Sequence, residues 1–263
     1  MIDARLALAE VVIREAGDLA ATYYAGRETL LHEAKGAHDF VSIADRRVEA
    51  LIRERLAAAF ADDGFLGEES GGNGGDRCWV VDPIDGTHNF LLGIPVWGIS
   101  IAYVVGGEPV IGLVYLPCDG RLYTAVRGRG AWCNGQPLRV SQTIALSDAT
   151  IAVGVSRRGD ANLSLRLLDR ALREGSAVRC LGACVAGLTL VAEGAIDAYY
   201  EAHINAWDCL AGILIVREAG GRINHVLGMV MLAQGGPVLA SAPALFDKLA
   251  PMASLETGAA PSM

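Results

Sequence analysis

Residues 79–90 read WVVDPIDGTHNF. Trp79, Val80 and Val81 form the apolar end of a strand, and Asp82 emerges where that strand is expected to stop, because Pro83 has no N–H to give to a ladder. Asp85 follows three positions after Asp82. On a straight strand such residues face opposite sides, so a turn after Pro83 is needed to bring the two carboxylates together. Carboxylates that close repel one another unless a cation lies between them, and hard oxygen ligands suit Mg²⁺. Gly86 lets the backbone approach a ligand closely, and a helix starting there would aim free N–H groups at an anion. The Thr87 hydroxyl can orient a water. One short segment therefore offers a metal site beside a phosphate cradle. Asp-Pro and Asp-Gly turns are common in ordinary loops, but the whole of DPIDGT behind an apolar strand is much rarer. Phosphatases that form an aspartyl phosphate carry DxDxT with a nucleophilic first Asp. Here the spacing is one residue longer and Gly precedes Thr, which argues against a covalent Asp.

Further carboxylates lie on either side. LGEES holds Glu68 and Glu69 in a glycine-rich loop running from Gly67 to Arg77. Adjacent acids in such a loop are ordinarily solvated, but if the loop folds over Asp82 and Asp85, Glu68 becomes a third ligand and can help deprotonate a water. INAWDCLAGILIVREAGG, from Ile204 to Gly221, places Asp208 in the first turn of a helix whose apolar positions include Leu210, Ile213, Leu214 and Val216. Alone, that Asp reads as an N-terminal helix charge. Lys35 and Asp45 sit around DFVSIAD, which reads as a strand end running into a capped helix.

Outward from these motifs, Leu8, Val12, Ala16, Leu19 and Tyr23 fall at helical spacing, and a second helix follows Ser42. From about Trp79 to Val140 short apolar segments broken by GG, PCDG and RGRG read as an antiparallel meander, with Asn134-Gly135 as a hairpin turn. Beyond Ser141 strands and helices alternate: strand Thr150–Val155, helix Leu163–Leu172, a strand near Val178, helix Ala183–Ala192, strand Ile196–Glu201, a helix from about Trp207, strand Val238–Ala240 and helix Ala244–Ala250. The layout is helices, then meander, then alternation, without an internal repeat.

The chain has 263 residues, 52% apolar and 20% charged, which suits a globular fold with a sizeable core. Its net charge of −8 disfavours nucleic acid and anionic membrane as partners, and the short basic clusters Arg46-Arg47 and Arg157-Arg158 do not change that. An acidic protein that takes an anionic substrate needs something cationic in its site, which again points to metal. The six cysteines form no CxxC pair and read as reduced, mostly buried thiols. The N-terminal segment carries charges through its apolar stretch, so it reads as an amphipathic helix and not a signal peptide, and no apolar run is long enough to span a bilayer. A cytoplasmic enzyme is the expectation.

Taken together, Lys35 with DFVSIAD, LGEES, WVVDPIDGTHNF, RGRGAWCNG, LGACVAG, DAYYE and AWDCLAGILIVREAGG resemble the inositol monophosphatase family of magnesium-dependent, lithium-sensitive sugar phosphatases, in order and over nearly the whole chain. The resemblance implies an α+β fold, a layered αβαβα sandwich, with an N-terminal half (1–140) carrying most metal ligands and a C-terminal half (141–263) closing the site. It implies that Glu68, Asp82 and the carbonyl of Ile84 hold one Mg²⁺, that Asp82, Asp85 and Asp208 hold a second, and that Glu68 with waters holds a weaker third. Thr87 and Asp45 would pair and, with Glu68, orient and deprotonate the attacking water, without a phosphoenzyme. The N–H groups of Gly86 and Thr87 would hold phosphate oxygens. Glu201 would bind a polyol hydroxyl, Gly182, Ala183 and Cys184 would line the substrate ring, and Asp208 would also face the substrate. Homodimers are usual among relatives.

The substrate implied is a small phosphate monoester, myo-inositol monophosphate first. Histidinol phosphate, fructose 1,6-bisphosphate and 3′-phosphoadenosine nucleotides are alternatives, the last disfavoured because nucleotide-cleaving relatives usually carry larger insertions. GIPVWGIS (93–100) is compatible with either of the first two alternatives, histidinol phosphate or fructose 1,6-bisphosphate. The departures fall on the leaving-group side: Asn205 where some relatives have His, His88 after Thr87, His203 near Glu201, and Cys184 where a smaller residue is common. A non-catalytic binding protein on this fold would have lost a ligand, whereas Glu68, Asp82, Asp85, Thr87 and Asp208 are all present.

Overall fold

The computed structural model describes residues 2–29, 32–36, 39–72, 75–156, 158–224, 228–253 and 255, with side chains given outside 29–42. Lys35 as a side chain, Arg157 and the tip of the glycine-rich loop lie outside that description. The chain runs α1 (Ile2–Ala25), β1 (His32–Gly36), β2 (Asp39–Ser42), α2 (Ile43–Ala59), β3 (Gly64–Gly67), β4 (Arg77–Asp85), α3 (Thr87–Leu92), β5 (Gly98–Val105), β6 (Glu108–Leu116), β7 (Arg121–Val126), β8 (Ala131–Cys133) and β9 (Gln136–Pro137). It continues with β10 (Thr150–Gly154), α4 (Ala161–Arg173), β11 (Ala177–Arg179), α5 (Cys184–Ala192), β12 (Ala198–Ile204), α6 (Ala206–Glu218), β13 (Arg222–Ile223), α7 (Met229–Gln234), β14 (Gly236–Ser241) and α8 (Pro243–Leu249).

Strand alternation sets the layers. In β4, Trp79 and Val81 face α1 and α2, where Val12, Ile13, Val48 and Ile52 complete one core; Cys78 and Val80 face the other way. There α5 and α6 lie between two sheets, so Val185, Leu188, Leu210 and Ile213 join Ala152, Tyr199 and Val238 of the second sheet. A helix covered on both sides is apolar all round, as α6 is from Cys209 to Val216. On the far face of the second sheet Ile151, Tyr200 and Leu239 pack against Leu167 of α4 and Leu245 and Phe246 of α8. Three cores hold five layers together, the middle one enclosing α5 and α6 between the sheets, giving the αβαβα sandwich.

The first sheet has the order β3-β4-β5-β6-β7-β8-β9, and the second β11-β10-β12-β14-β13. The meander is as the sequence suggests, with one addition: the short strand β3 pairs in parallel with β4 at the edge. Four residues, GFLG, are too few for periodicity to separate from a turn. The second sheet is mixed: β11, β10 and β12 run parallel, while β14 is antiparallel to both β12 and β13. The brief elements β13 and α7 were not expected from the sequence. Cys78, Cys133, Cys184 and Cys209 are buried, Cys118 and Cys180 are exposed, and all are free. Among the described residues no helix is long and apolar enough to cross a membrane.

The α6 backbone lies directly on β6. A Cβ at Gly112 would stand 2.7 Å from the carbonyl oxygen of Ala211, and neither backbone can yield without shifting a sheet. Gly112→Ala is expected to destabilise the fold by about 1–3 kcal/mol through overpacking, read as a lower denaturant midpoint at unchanged slope.

Candidate active site

β4 does not stop at Asp82. It runs on through Pro83 to Asp85, and a bulge does what the sequence reading assigned to a turn. Asp82 pairs with Ser100 and Asp85 with Gly98, so three steps on β4 oppose two on β5. The extra residue reverses the side-chain parity and puts both aspartates on the side of α5 and α6. Pro83, with no N–H, sits within the irregularity, and the Ile84 N–H turns back to Asp82 Oδ1 at 2.9 Å. Gly86 follows at φ 87° as the N-cap of α3. A Cβ there would come within 2.9 Å of the Ala183 Cβ and 3.0 Å of the Val96 oxygen, so both conformation and space require glycine. The Thr87 hydroxyl lies 3.0 Å from the Ile84 oxygen and 3.2 Å from Asp45 Oδ1, and Asp45 is fully buried on the first turn of α2.

Glu68 arrives from the other side of β4. Because β3 is parallel to β4, its continuation delivers the Glu68 N–H to the Val81 oxygen at 3.1 Å, which sets Glu68 beside Asp82. Asp208 comes from the first turn of α6. Ser100, the cross-strand neighbour of Asp82, donates its hydroxyl to the Trp207 carbonyl at 2.8 Å and so seats that helix end. Glu68, Asp82 and Asp208 each offer a carboxylate oxygen within 4.8 Å of the others. Asp85 lies alongside, with Oδ2 accepting the Val185 N–H at the start of α5 at 2.7 Å.

The electrostatics are those of crowded, dry acids. Burial, then the charges of Glu68, Asp208 and Asp85, push Asp82 well above the usual carboxylate range. Asp85 is raised likewise by burial and Asp208, against the N–H groups of Val185 and Cys184. Asp208 is raised by burial, against the bond it accepts from the Asn205 N–H. A set of hard oxygen donors held together in low dielectric, each resisting ionisation alone, fits a divalent cation.

A cavity of about 440 Å³ opens over these groups. Glu68, Asp85, Gly86, Thr87 and Asp208 line it together with Gly182, Ala183, Cys184 and Glu201, whereas Asp45, Asp82 and Ile84 are buried and do not reach it. The 182–184 segment is held there by Asn89 of α3, whose Nδ2 donates to Val96 O at 2.8 Å and Leu181 O at 2.9 Å. Burial and nearby Asp85 push the Cys184 thiol well up, so it packs as a neutral group. Glu201 is raised to about 7 by burial, against the hydrogen bond donated by Tyr199 and with a contribution from Asp208. Asn205 receives its role here: its N–H reaches Asp208 Oδ2 at 3.0 Å and its Nδ2 the same oxygen at 3.2 Å, while Arg158 donates to its Oδ1 at 2.8 Å. His203 also borders the cavity, with its pKa lowered by burial and Arg158, and His88 is exposed at the rim. Asn89, Tyr199 and Ser100 went unnoticed in the sequence: Asn89 and Ser100 act through contacts made across the fold, and Tyr199 through Glu201 two positions on along β12.

Fold and site define a phosphoric monoester hydrolase of a metal-dependent class. The Inositol monophosphatase family model matches residues 2–256, and the chain belongs to that family. It is 42% identical over 226 residues to an inositol-1-monophosphatase of Rhizobium meliloti (strain 1021), covering 83% of this chain and 85% of that one. It is 37% identical over 193 residues to a fructose-1,6-bisphosphatase/inositol-1-monophosphatase of Aquifex aeolicus (strain VF5), covering 72% and 73%. Among solved structures, the extragenic suppressor protein suhB of Bartonella henselae superposes with a TM-score of 0.88 at 34% identity, over 97% of this chain and 100% of that one.

Raised carboxylates bind more protons in the metal-free fold than in the unfolded chain, so stability falls as pH rises through the window between the two values. For Glu201 that window runs from 4.5 to about 7. Burial raises Asp63 too, but its bonds to Arg5 more than offset this; its pKa ends below 3.8, so it does not oppose the trend in that window. His203, lowered from 6.5 by burial and Arg158, does oppose it below 6.5, but the raised Asp82, Asp85 and Asp208 act with Glu201 and outweigh that single group. Calorimetry in a chelator is expected to show Tm falling across the window, and added Mg²⁺ raising Tm most at its upper end.

Proposed function

We propose that the protein hydrolyses the phosphate monoester of a small polyol, myo-inositol monophosphate first, with Mg²⁺ and an activated water. The observation that carries this reading is the convergence of Glu68, Asp82 and Asp208 within 4.8 Å, beside Asp85 and the Gly86–Thr87 turn. Glu68, Asp82, Asp85, Asp208 and the Ile84 carbonyl would hold two Mg²⁺, with a third beside Glu68. When bound, Mg²⁺ supplies charge neutralisation of the phosphate, a more acidic water and stabilisation of the leaving alkoxide. The chain's own residues do the rest. Asp45 holds the Thr87 hydroxyl, Thr87 orients the water through its oxygen, and the Glu68 carboxylate takes the water's proton. The N–H groups of Gly86 and Thr87 hold phosphate oxygens. Glu201, its pKa raised to about 7 by burial, can donate to or accept from a sugar hydroxyl, and the backbone of Gly182, Ala183 and Cys184 borders the ring. The segment 1–140 would bring most ligands and 141–263 would bring Asp208 and Glu201. The resemblance also implies a cytoplasmic homodimer.

The name of the Aquifex aeolicus relative favours fructose 1,6-bisphosphate as the second substrate to try. Phosphate release from inositol 1-phosphate, fructose 1,6-bisphosphate, histidinol phosphate and 3′-phosphoadenosine 5′-phosphate should single out the alcohol. Turnover is expected to require Mg²⁺ and to fall at least about 100-fold in Asp85→Asn, as loss of a ligand exceeds loss of its support. Undiminished turnover in the variant would remove Asp85 from the mechanism.

A further inference from the structure

Helix α2 carries Asp45, Glu49 and Arg53 at four-residue steps, so the three share one face. Asp45 meets Thr87. Glu49 is 2% exposed, a burial that a carboxylate tolerates only with hydrogen-bond partners. Its partners all belong to the turn that follows Glu68. Glu49 Oε2 accepts the Glu69 N–H at 2.8 Å; Oε1 accepts the Ser70 N–H at 3.0 Å and the Ser70 hydroxyl. Arg53, one turn on, donates to the Ser70 hydroxyl oxygen and packs its guanidinium 4.5 Å from the Phe65 ring centre. The turn is closed by paired bonds between Gly67 and Gly71, each 3.0 Å. Gly67 runs so close to Glu49 that a Cβ there would collide with the carboxylate.

The main chain at Glu68 is therefore gripped from both sides: its own N–H by Val81 at 3.1 Å, and the next two N–H groups by Glu49. A carboxylate that must converge with Asp82 and Asp208 gains its aim from a fixed backbone, since a long Glu side chain on a loose turn would sample many rotamers. We propose that Glu49 is a positioning residue for the metal site: by accepting the N–H groups of Glu69 and Ser70 it sets the turn that directs Glu68 toward Asp82 and Asp208. The inference rests on the metal-site reading of those three acids, and it makes helix α2 a common support that orients Thr87 through Asp45 and Glu68 through Glu49.

The test is Mn²⁺ binding to the metal-free protein, followed by electron paramagnetic resonance, in wild type, Glu68→Ala, Glu49→Ala and Glu49→Gln. Removal of groups that orient a ligand costs about 10–100-fold in affinity. Glu49→Ala is expected to bind Mn²⁺ at least about 10-fold more weakly. Glu49→Gln, whose single amide oxygen can accept one of the two N–H groups, should fall between it and wild type. In steady state the Mg²⁺ concentration for half-activity should rise, with kcat at saturating Mg²⁺ changed far less; a purely structural staple would lower Tm without moving the affinity of the folded protein. Wild-type affinity in a folded Glu49→Ala, with affinity lost in Glu68→Ala, would overturn the proposal and leave the metal site standing. Equal, negligible binding in wild type and Glu68→Ala would overturn both. Should Glu49→Ala fail to fold, Glu49→Gln decides: weakened binding supports the role and wild-type binding overturns it.

Discussion

Mutual repulsion among Glu68, Asp82 and Asp208 is the constraint to which the centre of this protein answers. With ligand oxygens no more than 4.8 Å apart, each ionised pair costs roughly 3 kcal/mol at an effective dielectric of about 20, and the three pairs together roughly 10 kcal/mol. That is comparable with the whole stability of an ordinary domain, about 5–15 kcal/mol. Such a cluster can persist only by keeping protons or by holding a cation. The raised pKa values of Asp82 and Asp208 are the first response, in the protein without metal. The second explains how a chain of net charge −8 can take a phosphate ester.

What keeps the acids from relaxing apart is backbone. Asp82 and Asp85 are tied into a sheet by their pairs with Ser100 and Gly98. Glu68 is tied to Val81 by its own N–H, Asp85 to α5 by Val185, and α6 to β5 by the Ser100 hydroxyl. Each tie is short and buried or half-buried, where a hydrogen bond is costly to lose. The sandwich serves the same end. Because α5 and α6 fill the space between the sheets, their N-termini are brought against the end of β4, and the acids of β4 meet Asp208 and the 182–184 turn from the other half of the chain.

The sequence made the layers readable wherever a periodic pattern outlasted a few residues, as in α1, α2, the meander and α4. It left out β3 and β13, whose four and two residues carry no period. It gave the acids of the site but misread how Asp82 and Asp85 come to share a side: Pro83 suggested a strand end, whereas the bulge keeps the strand going and absorbs the missing N–H. Nothing in the local spelling distinguishes those two outcomes, because the pairing with Gly98 and Ser100 decides between them. Glu49, Asn89 and Tyr199 were illegible for a related reason. Each looks like an ordinary helix or strand residue until a partner 2 to 92 positions away is placed against it.

The residues around the cavity are held by two different means, and this bears on which of them can change. Glu68, Asp82 and Asp85 are set by main-chain pairing, and Gly86 and Thr87 by the Gly86 conformation and a helix start, so a substitution there moves several groups at once. Asp208 and Glu201 are held instead by side-chain chains: Arg158 to Asn205 to Asp208, and Tyr199 to Glu201. Exchanging Asn205 for another residue able to reach Asp208 would redraw the cavity wall while leaving Glu68, Asp82 and Asp85 where the sheet puts them. The acids tied to the sheet can thus stay in place while the wall at 205 changes, which is what one chemistry would require across relatives named for inositol monophosphate alone and for fructose bisphosphate and inositol monophosphate together.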